Sequence, residues 1–333
     1  MKKILITGGA GYIGSHAVNL FLEKGFSVVV IDNFSRGYHE PMEILGKVGD
    51  LSVEEGDLLD QHFIENVFQK HEISAVLHFA ALCLVNESVE QPERYMRNNV
   101  EGTRNLLEAM LHAGVKNIIF SSTCAVYGEA QTLPVDENHP TNPANPYGES
   151  KLQAENLIRE YEKNYGFHSV IFRYFNICGA ASDGIIGDSK KPSQLLLQNA
   201  VRGAMGISPF AYTCGKVDTP DGTPIRDYID VEDLVRAHYL GYEYLLKNTN
   251  SELFNLGNGR GYSVKEIVTE VEKTFGTTME KSQDEPRKGE YAWIYANPQK
   301  AKEILAFIPQ KSLNESIESL KHWYTRHPNG YEK

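Results

Sequence analysis

The chain has 333 residues, 41% hydrophobic and 23% charged, enough apolar material to bury a sizeable core. Its 33 basic against 44 acidic residues give a formal charge of −11, which argues against a general nucleic-acid binder with a basic face. No apolar run approaches the roughly 20 residues of a membrane span, and Cys83, Cys124, Cys178 and Cys214 show neither paired nor metal-ligand spacing. The expectation is a reduced, cytoplasmic protein without a metal, a membrane or a nucleic-acid partner.

Short runs rich in Val, Ile and Phe at residues 3–7, 27–31, 75–79, 117–121 and 169–174 are apolar throughout, as suits strands buried on both faces. Helical patterns occupy 12–24, 60–70, 92–113 and 147–165, with Pro92 suited to a first turn and Gly114 to a stop. The alternation predicts an α/β fold, a Rossmann-type doubly wound parallel sheet with helices on both faces. From about Cys178 the pattern breaks. Residues 179–192 and 215–224 read as loops, 230–247 as a helix, 253–256 as a strand, and 264–275 and 313–324 as helices. The expected division is a dinucleotide-binding domain of 1–177 plus about 230–257, and a smaller mixed α/β C-terminal substrate domain of about 178–229 plus 258–333.

Between the first strand and the first helix, Gly8, Gly11 and Gly14 stand as GxxGxxG. Glycines there allow a tight turn, close approach of backbone to a pyrophosphate, and close helix–strand packing. The helix N-terminus adds free N–H groups and partial positive charge. The second strand leads into Asp32-Asn33, roughly 20 residues past the loop, where an acid grips the adenosine ribose. A carboxylate repels a 2′-phosphate, so the cofactor expected is NAD rather than NADP. Asp57, beside Leu58, is expected to hold the adenine, with a plain surface acid as the competing reading.

Tyr147 and Lys151 lie at i and i+4 on one helix face. A free phenol, with a pKa of about 10, is a poor base at neutral pH. The ammonium and the nicotinamide cation both favour phenolate. Ser122-Thr123 closes the strand just upstream and offers a hydroxyl to relay a proton.

Further segments extend the pattern over nearly the whole length: His78-Phe79-Ala80-Ala81, Glu87-Ser88, Asn98-Asn99-Val100, residues 121–128, Arg173-Tyr174-Phe175-Asn176, Asp221-Gly222-Thr223 with Arg226-Asp227-Tyr228, Asn255-Leu256-Gly257, and Arg326-His327-Pro328-Asn329-Gly330-Tyr331. With them the chain resembles the extended short-chain dehydrogenases/reductases, and within that superfamily it is similar to the UDP-glucose 4-epimerases. The resemblance implies NAD-dependent 4-epimerisation of UDP-glucose or UDP-galactose through a 4-keto intermediate. Tyr147 would be the base, Thr123 its helper, and Lys151 a holder of the nicotinamide ribose. Gly8, Gly11, Tyr12, Ile13, Gly14, Asp32, Asn33, Asp57, Leu58, Phe79, Ala80, Ala81, Asn98, Ser121, Ser122 and Tyr174 would surround the cofactor. Thr123, Tyr147, Asn176, Gln194, Leu195, Arg226, Arg287, Glu290 and Ile294 would meet the UDP-sugar. A homodimer through helices 92–113 and 147–165 is also implied.

The departures are informative. Related dehydratases and decarboxylases carry acids after the threonine, whereas here the triplet is Thr123-Cys124-Ala125, which disfavours both reactions. A lysine usual in epimerases is replaced by Cys83, removing one positive charge near the cofactor phosphates. The uracil-contacting Asn-Leu pair reads Gln194-Leu195, and the histidine after Arg-Asp-Tyr-Ile is Asp230. Ile294 stands where a bulky tyrosine excludes N-acetylated sugars; UDP-glucose and UDP-galactose are the first expectation, and acceptance of UDP-N-acetylglucosamine is the alternative.

Overall fold

The computed structural model describes residues 3–190, 193–285 and 291–331. In chain order its strands are β1 (Lys3–Thr7), β2 (Val28–Asp32), β3 (Leu51–Glu55), β4 (Ile73–His78), β5 (Asn117–Thr123), β6 (His168–Tyr174), β7 (Asn176–Cys178), β8 (Phe210–Tyr212), β9 (Ile225–Asp230), β10 (Glu252–Leu256), β11 (Gly261–Ser263), β12 (Lys281–Gln283) and β13 (Trp293–Ile294). Seven of them form one parallel sheet in the order β10-β6-β5-β4-β1-β2-β3. The strand order reverses between β1 and β4, where doubly wound folds open their ligand crevice.

Alternation along each strand splits the core into two layers. Ile4 and Ile6 of β1 pack with Ala17, Val18 and Phe21 of helix Tyr12–Glu23 and with Leu234 and Val235 of helix Val231–Lys247. Leu5 packs on the other face with Ile64 and Val67, Leu106 and Met110, and Leu157 and Ile158. Each such fully buried aliphatic chain is worth roughly 1.5–3 kcal/mol of transfer free energy, which is why runs apolar throughout become central strands. β3 was not among the expected strands. It is the sheet's edge, its Leu-Ser-Val-Glu-Glu sequence is only half-buried, and so no continuous apolar run marks it. β10 pairs with β6, bringing the chain back to the first sheet after a long excursion.

The expected helix over 92–113 is not uniform. It runs as Pro92–Met96, a π turn Arg97–Glu101, and Gly102–His112. A π turn inside a helix rotates the following side chains, and such turns cluster at functional sites; this one carries Asn98 and Asn99. Asn145 caps helix Pro146–Tyr165 through Gly148 N–H, and Gly166 ends it in the left-handed conformation.

The remaining strands are short. β9 is flanked by antiparallel β11 and by parallel β13 and β7, and β12 pairs with β8. Helices Leu196–Ala204, Val264–Phe275 and Leu313–Arg326 enclose a separate core centred on Trp323, Ile267 and Leu320.

Candidate active site

β1 runs into Gly8 at φ +72°, and a Cβ there would stand 2.7 Å from the backbone nitrogen of Ala80. A Cβ on Gly14 would overlap the carbonyl of Gly8. Gly11 caps helix Tyr12–Glu23 without any side chain competing for its first N–H groups. The result is a backbone cradle at a helix N-terminus, suited to a phosphate. Asp32, at the end of β2, accepts N–H bonds from Ala10 (3.0 Å) and Phe34 (2.9 Å). Burial raises its pKa, and the two N–H groups oppose that rise. Asn33 donates to Asp57 at 2.8 Å, joining the two expected adenosine contacts.

These groups open onto a cleft of about 490 Å³. Gly8, Gly11, Tyr12, Ile13, Gly14, Asp32, Asn33, Asp57, Leu58, Phe79, Ala80, Ala81, Asn98, Tyr147, Lys151 and Tyr174 all line it. The cradle and the acid at the end of β2, both lining one cleft, fit a dinucleotide. Two expected residues are placed otherwise. Ser121 is not part of the lining; its hydroxyl donates to Tyr174 at 3.0 Å, so it acts through that ring. Ser122, also expected beside the cofactor, does not face the cleft. It is fully buried on the opposite face of β5, because successive strand residues alternate sides. There it donates to Glu155, which pairs with Arg173 at 2.6 Å.

A directed hydrogen-bond chain stiffens the floor. Thr103 donates to the Asn99 carbonyl at 2.6 Å, so His78 must donate to Thr103 from Nε2 (2.9 Å) and accept from Thr7 at Nδ1 (2.7 Å). Burial lowers His78 to about 3, which keeps it neutral in that role. Asn99 in turn bonds both backbone groups of Leu82 and the hydroxyl of Ser150 on the Tyr147 helix. The glycine loop, the π turn and the Tyr147 helix are thereby fixed to one another.

Tyr147 and Lys151 are both buried at one end of the cleft. Tyr147 meets Tyr95 edge-to-face at 6.5 Å and is hydrogen-bonded to Thr123. Lys151 lies 4.2 Å over the Phe120 ring, and burial lowers it to about 8. The expected lowering of the phenol by Lys151 is not what the protein alone provides. Burial, then Tyr174 and Cys83, push Tyr147 well above its ordinary value, and the Thr123 hydrogen bond is the opposing influence. Cys124, beside Thr123, is pushed up to about 12 by burial and is a neutral thiol at pH 7.

The small sheet around β9 adjoins this end. Asn176 on β7 pairs with Tyr228, and Ile294 on β13 pairs with Arg226. Arg226 donates to the Ile225 carbonyl at 2.9 Å and is close enough to Cys124 and Tyr291 to influence both. Asp227 accepts N–H bonds from Asn258 (2.8 Å), Gly259 (3.0 Å) and Ala296 (3.2 Å), locking β9 to β13. Ile294 is buried with Val126, Tyr127 and Phe175, and Cys124 packs against that cluster. Gln194 and Leu195 are half-buried just before helix Leu196–Ala204. Arg287 and Glu290 lie outside the described residues. Among the described residues no group of His, Cys, Asp or Glu is arranged to hold a metal.

Cys83, expected beside the cofactor phosphates, lines the cleft, whereas sequence reasoning missed Arg36, Gly37 and Tyr38, Leu82 and Leu84, Gly187 to Lys190, and Tyr331. The first group follows directly on Asp32, a signal that was there to be used. Lys190 belongs to a stretch recognisable only as a loop.

The chain matches the NAD dependent epimerase/dehydratase family over residues 4–257. It is 42% identical over 330 residues to UDP-glucose 4-epimerase of Halalkalibacterium halodurans, covering 98% of this chain and 97% of that one. Its fold is similar to UDP-glucose 4-epimerase from Bifidobacterium longum in complex with NAD+ and UDP, at a TM-score of 0.93 and 35% identity over 99% and 100% of the two chains. It is also similar to the UDP-Glc/GlcNAc 4-epimerase of Campylobacter jejuni, at 0.84 and 37% over 98% and 100%. The glycine cradle, the Tyr147–Lys151 pair and this full-length likeness together make the chain a member of the NAD-dependent epimerase/dehydratase family.

Proposed function

We propose that the chain is an isomerase, interconverting UDP-glucose and UDP-galactose with NAD held in the cleft. The observation that carries this reading is the Tyr147–Thr123–Lys151 group at the cleft's end, followed by Cys124 and Ala125 rather than by acids. NAD, when bound, supplies the hydride acceptor and donor and, while oxidised, a ring charge of the sign that lowers a nearby phenol. Tyr147 takes the proton of the C4 hydroxyl, and the Thr123 hydroxyl bonded to it steadies the phenolate. Lys151, with its pKa at about 8, is mainly cationic at neutral pH and orients the same group. The 4-keto sugar then turns its other face, and Tyr147 returns the proton. With a neutral thiol at Cys124 and a methyl at Ala125, nothing on that side removes a further proton, so water is not eliminated.

Arg226 and Asn176, on adjacent strands, are assigned to the nucleotide sugar, together with Gln194, Leu195, Arg287 and Glu290. An arginine fork suits a diphosphate. On this reading residues 1–177 with about 230–257 form the NAD unit, and 178–229 with 258–333 the sugar-nucleotide unit. We further assign the protein to galactose metabolism in the cytoplasm, as a homodimer through helices 92–113 and 147–165. No helix among the described residues is long and apolar enough to cross a membrane.

A second reading, acceptance of N-acetylated UDP-sugars, is favoured by Ile294, buried at 4% exposure and smaller than a tyrosine. Separate incubation with UDP-galactose and UDP-N-acetylgalactosamine, without added NAD, decides between them. The first reading expects turnover of UDP-galactose and little of the N-acetyl sugar. Comparable rates on both establish the second, and no 4-epimer from either refutes both.

A further inference from the structure

Among the described residues, three cationic side chains line the cleft: Arg36, Lys151 and Lys190. Arg36 is held by Glu87 at 2.6 Å, and Lys151 is engaged over Phe120 beside Tyr147. Lys190 differs from both. It comes from the loop after β7, whereas Arg36 follows β2 and Lys151 lies on helix Pro146–Tyr165, and its ammonium lies close to Cys83. Cys83 also lies close to Lys151, Tyr147 and Tyr174, so Lys190 stands at the catalytic end of the cleft.

The loop that carries Lys190 is pinned from two directions. Tyr38, which follows β2, donates to the Ser189 carbonyl at 2.7 Å. From the C-terminal side, Tyr331 N–H donates to the Ser189 hydroxyl at 2.6 Å, and Trp323 Nε1–H donates to the Asp188 carbonyl at 3.1 Å. Gly330 is required for that contact, because a Cβ there would overlap the Ser189 hydroxyl. Lys190 is therefore presented by a fixed backbone, not by a free strand of loop.

An ammonium has three donors, and a thiol is a weak acceptor for even one of them. A half-buried cation so poorly matched calls for an anion. Asp188 lies near enough to favour the charged form of Lys190, and it accepts from the Ser193 hydroxyl at 3.2 Å, but the two do not close into an ion pair. The cleft itself is built to receive a dianionic diphosphate. We propose that Lys190 is a diphosphate-gripping residue of this cleft, donating to a phosphate oxygen at the point where Cys83 offers no charge. The proposal rests on the dinucleotide reading of the cleft. It assigns the missing cation to a loop far along the chain, so that ligand binding ties that loop to the glycine cradle. The diphosphate is either that of the cofactor or that of the UDP-sugar, and the two affinities tell them apart.

The test measures NAD and UDP affinity by calorimetry for the wild type, K190M and C83K/K190M, with the thermal midpoint of each ligand-free protein. One ligand is expected to bind about 10- to 100-fold more weakly to K190M, the usual worth of a charge-assisted hydrogen bond. C83K/K190M, which moves the ammonium to residue 83, is expected to recover most of that loss, with thermal midpoints unchanged. Weakened NAD with intact UDP places Lys190 on the cofactor; the reverse places it on the sugar nucleotide. Wild-type binding of both ligands with unchanged affinities in K190M overturns the assignment while leaving the epimerase reading intact. A loss that C83K/K190M does not recover, with a lowered thermal midpoint, also overturns it by making Lys190 a packing residue. A wild type that binds neither ligand overturns the underlying reading itself.

Discussion

Every strand of the seven-stranded sheet pairs in parallel with its neighbour, and the functional groups sit at strand ends: Gly8 after β1, Asp32 closing β2, Thr123 closing β5. The sheet around β9 instead gathers β7, β11 and β13, two or three residues long each, from segments scattered between residues 176 and 294. In the first region a long core dictates the geometry, and the site is a by-product of a regular sheet. In the second, specific polar locks such as Asp227 take over the work of length. Chemistry that must not vary is carried by the regular region, and ligand choice by the irregular one.

That contrast is testable at single residues. The largest effect is expected from Tyr147→Phe, which should lower kcat by about 10²- to 10⁴-fold while the purified protein keeps its NAD; steady-state rates and cofactor content read both. Arg173→Leu strikes the support of the regular region, leaving Glu155 buried and unpaired behind β5. It should cost about 3–5 kcal/mol of unfolding free energy, as denaturant titration would show. Arg226→Ala should spare stability and NAD binding yet raise the KM for UDP-galactose about 10- to 100-fold. A large drop in NAD content in that variant would erase the distinction between the regions.

The smallest effect concerns pH. Asp230, which caps helix Val231–Lys247 and accepts from Ser316, is raised by burial to about 7. The folded protein thus holds this proton more tightly than the unfolded chain. Stability from this group is full below about pH 4, declines as pH rises toward 7, and is flat above. Asp230→Asn, an equally good cap, should raise the thermal midpoint at pH 8 and leave it nearly unchanged at pH 4. An equal shift at both pH values would remove Asp230 as the cause.

How much of this was legible in the sequence follows the same divide. Strands buried on both faces announce themselves, and β1 is the apolar run Ile4-Leu5-Ile6 with one polar residue at each end. The edge strand β3 and the π turn at Arg97–Glu101 left no such trace, one because it is half polar, the other because a π turn keeps helical composition. Gly8, Gly14, Asp32, Tyr147 and Lys151 were readable because each carries a short-range spacing set between recognisable strands and helices, and the parallel sheet brings them to one cleft. Ser122 was misread because adjacency in a strand means opposite faces. Lys190 was unreadable because its position depends on Tyr38 and Tyr331, partners 152 and 141 residues away in sequence (190 − 38 and 331 − 190).

The central claim is that the cleft borrows a hydride from the sugar and returns it to the same carbon. The most direct measurement is turnover of UDP-galactose in deuterated water by the protein as purified, with the product's C4 position read by mass spectrometry or NMR. The account predicts UDP-glucose with no solvent deuterium at C4 and no accumulating reduced cofactor. Deuterium at C4, or a released 4-keto sugar matched by reduced cofactor, would contradict it.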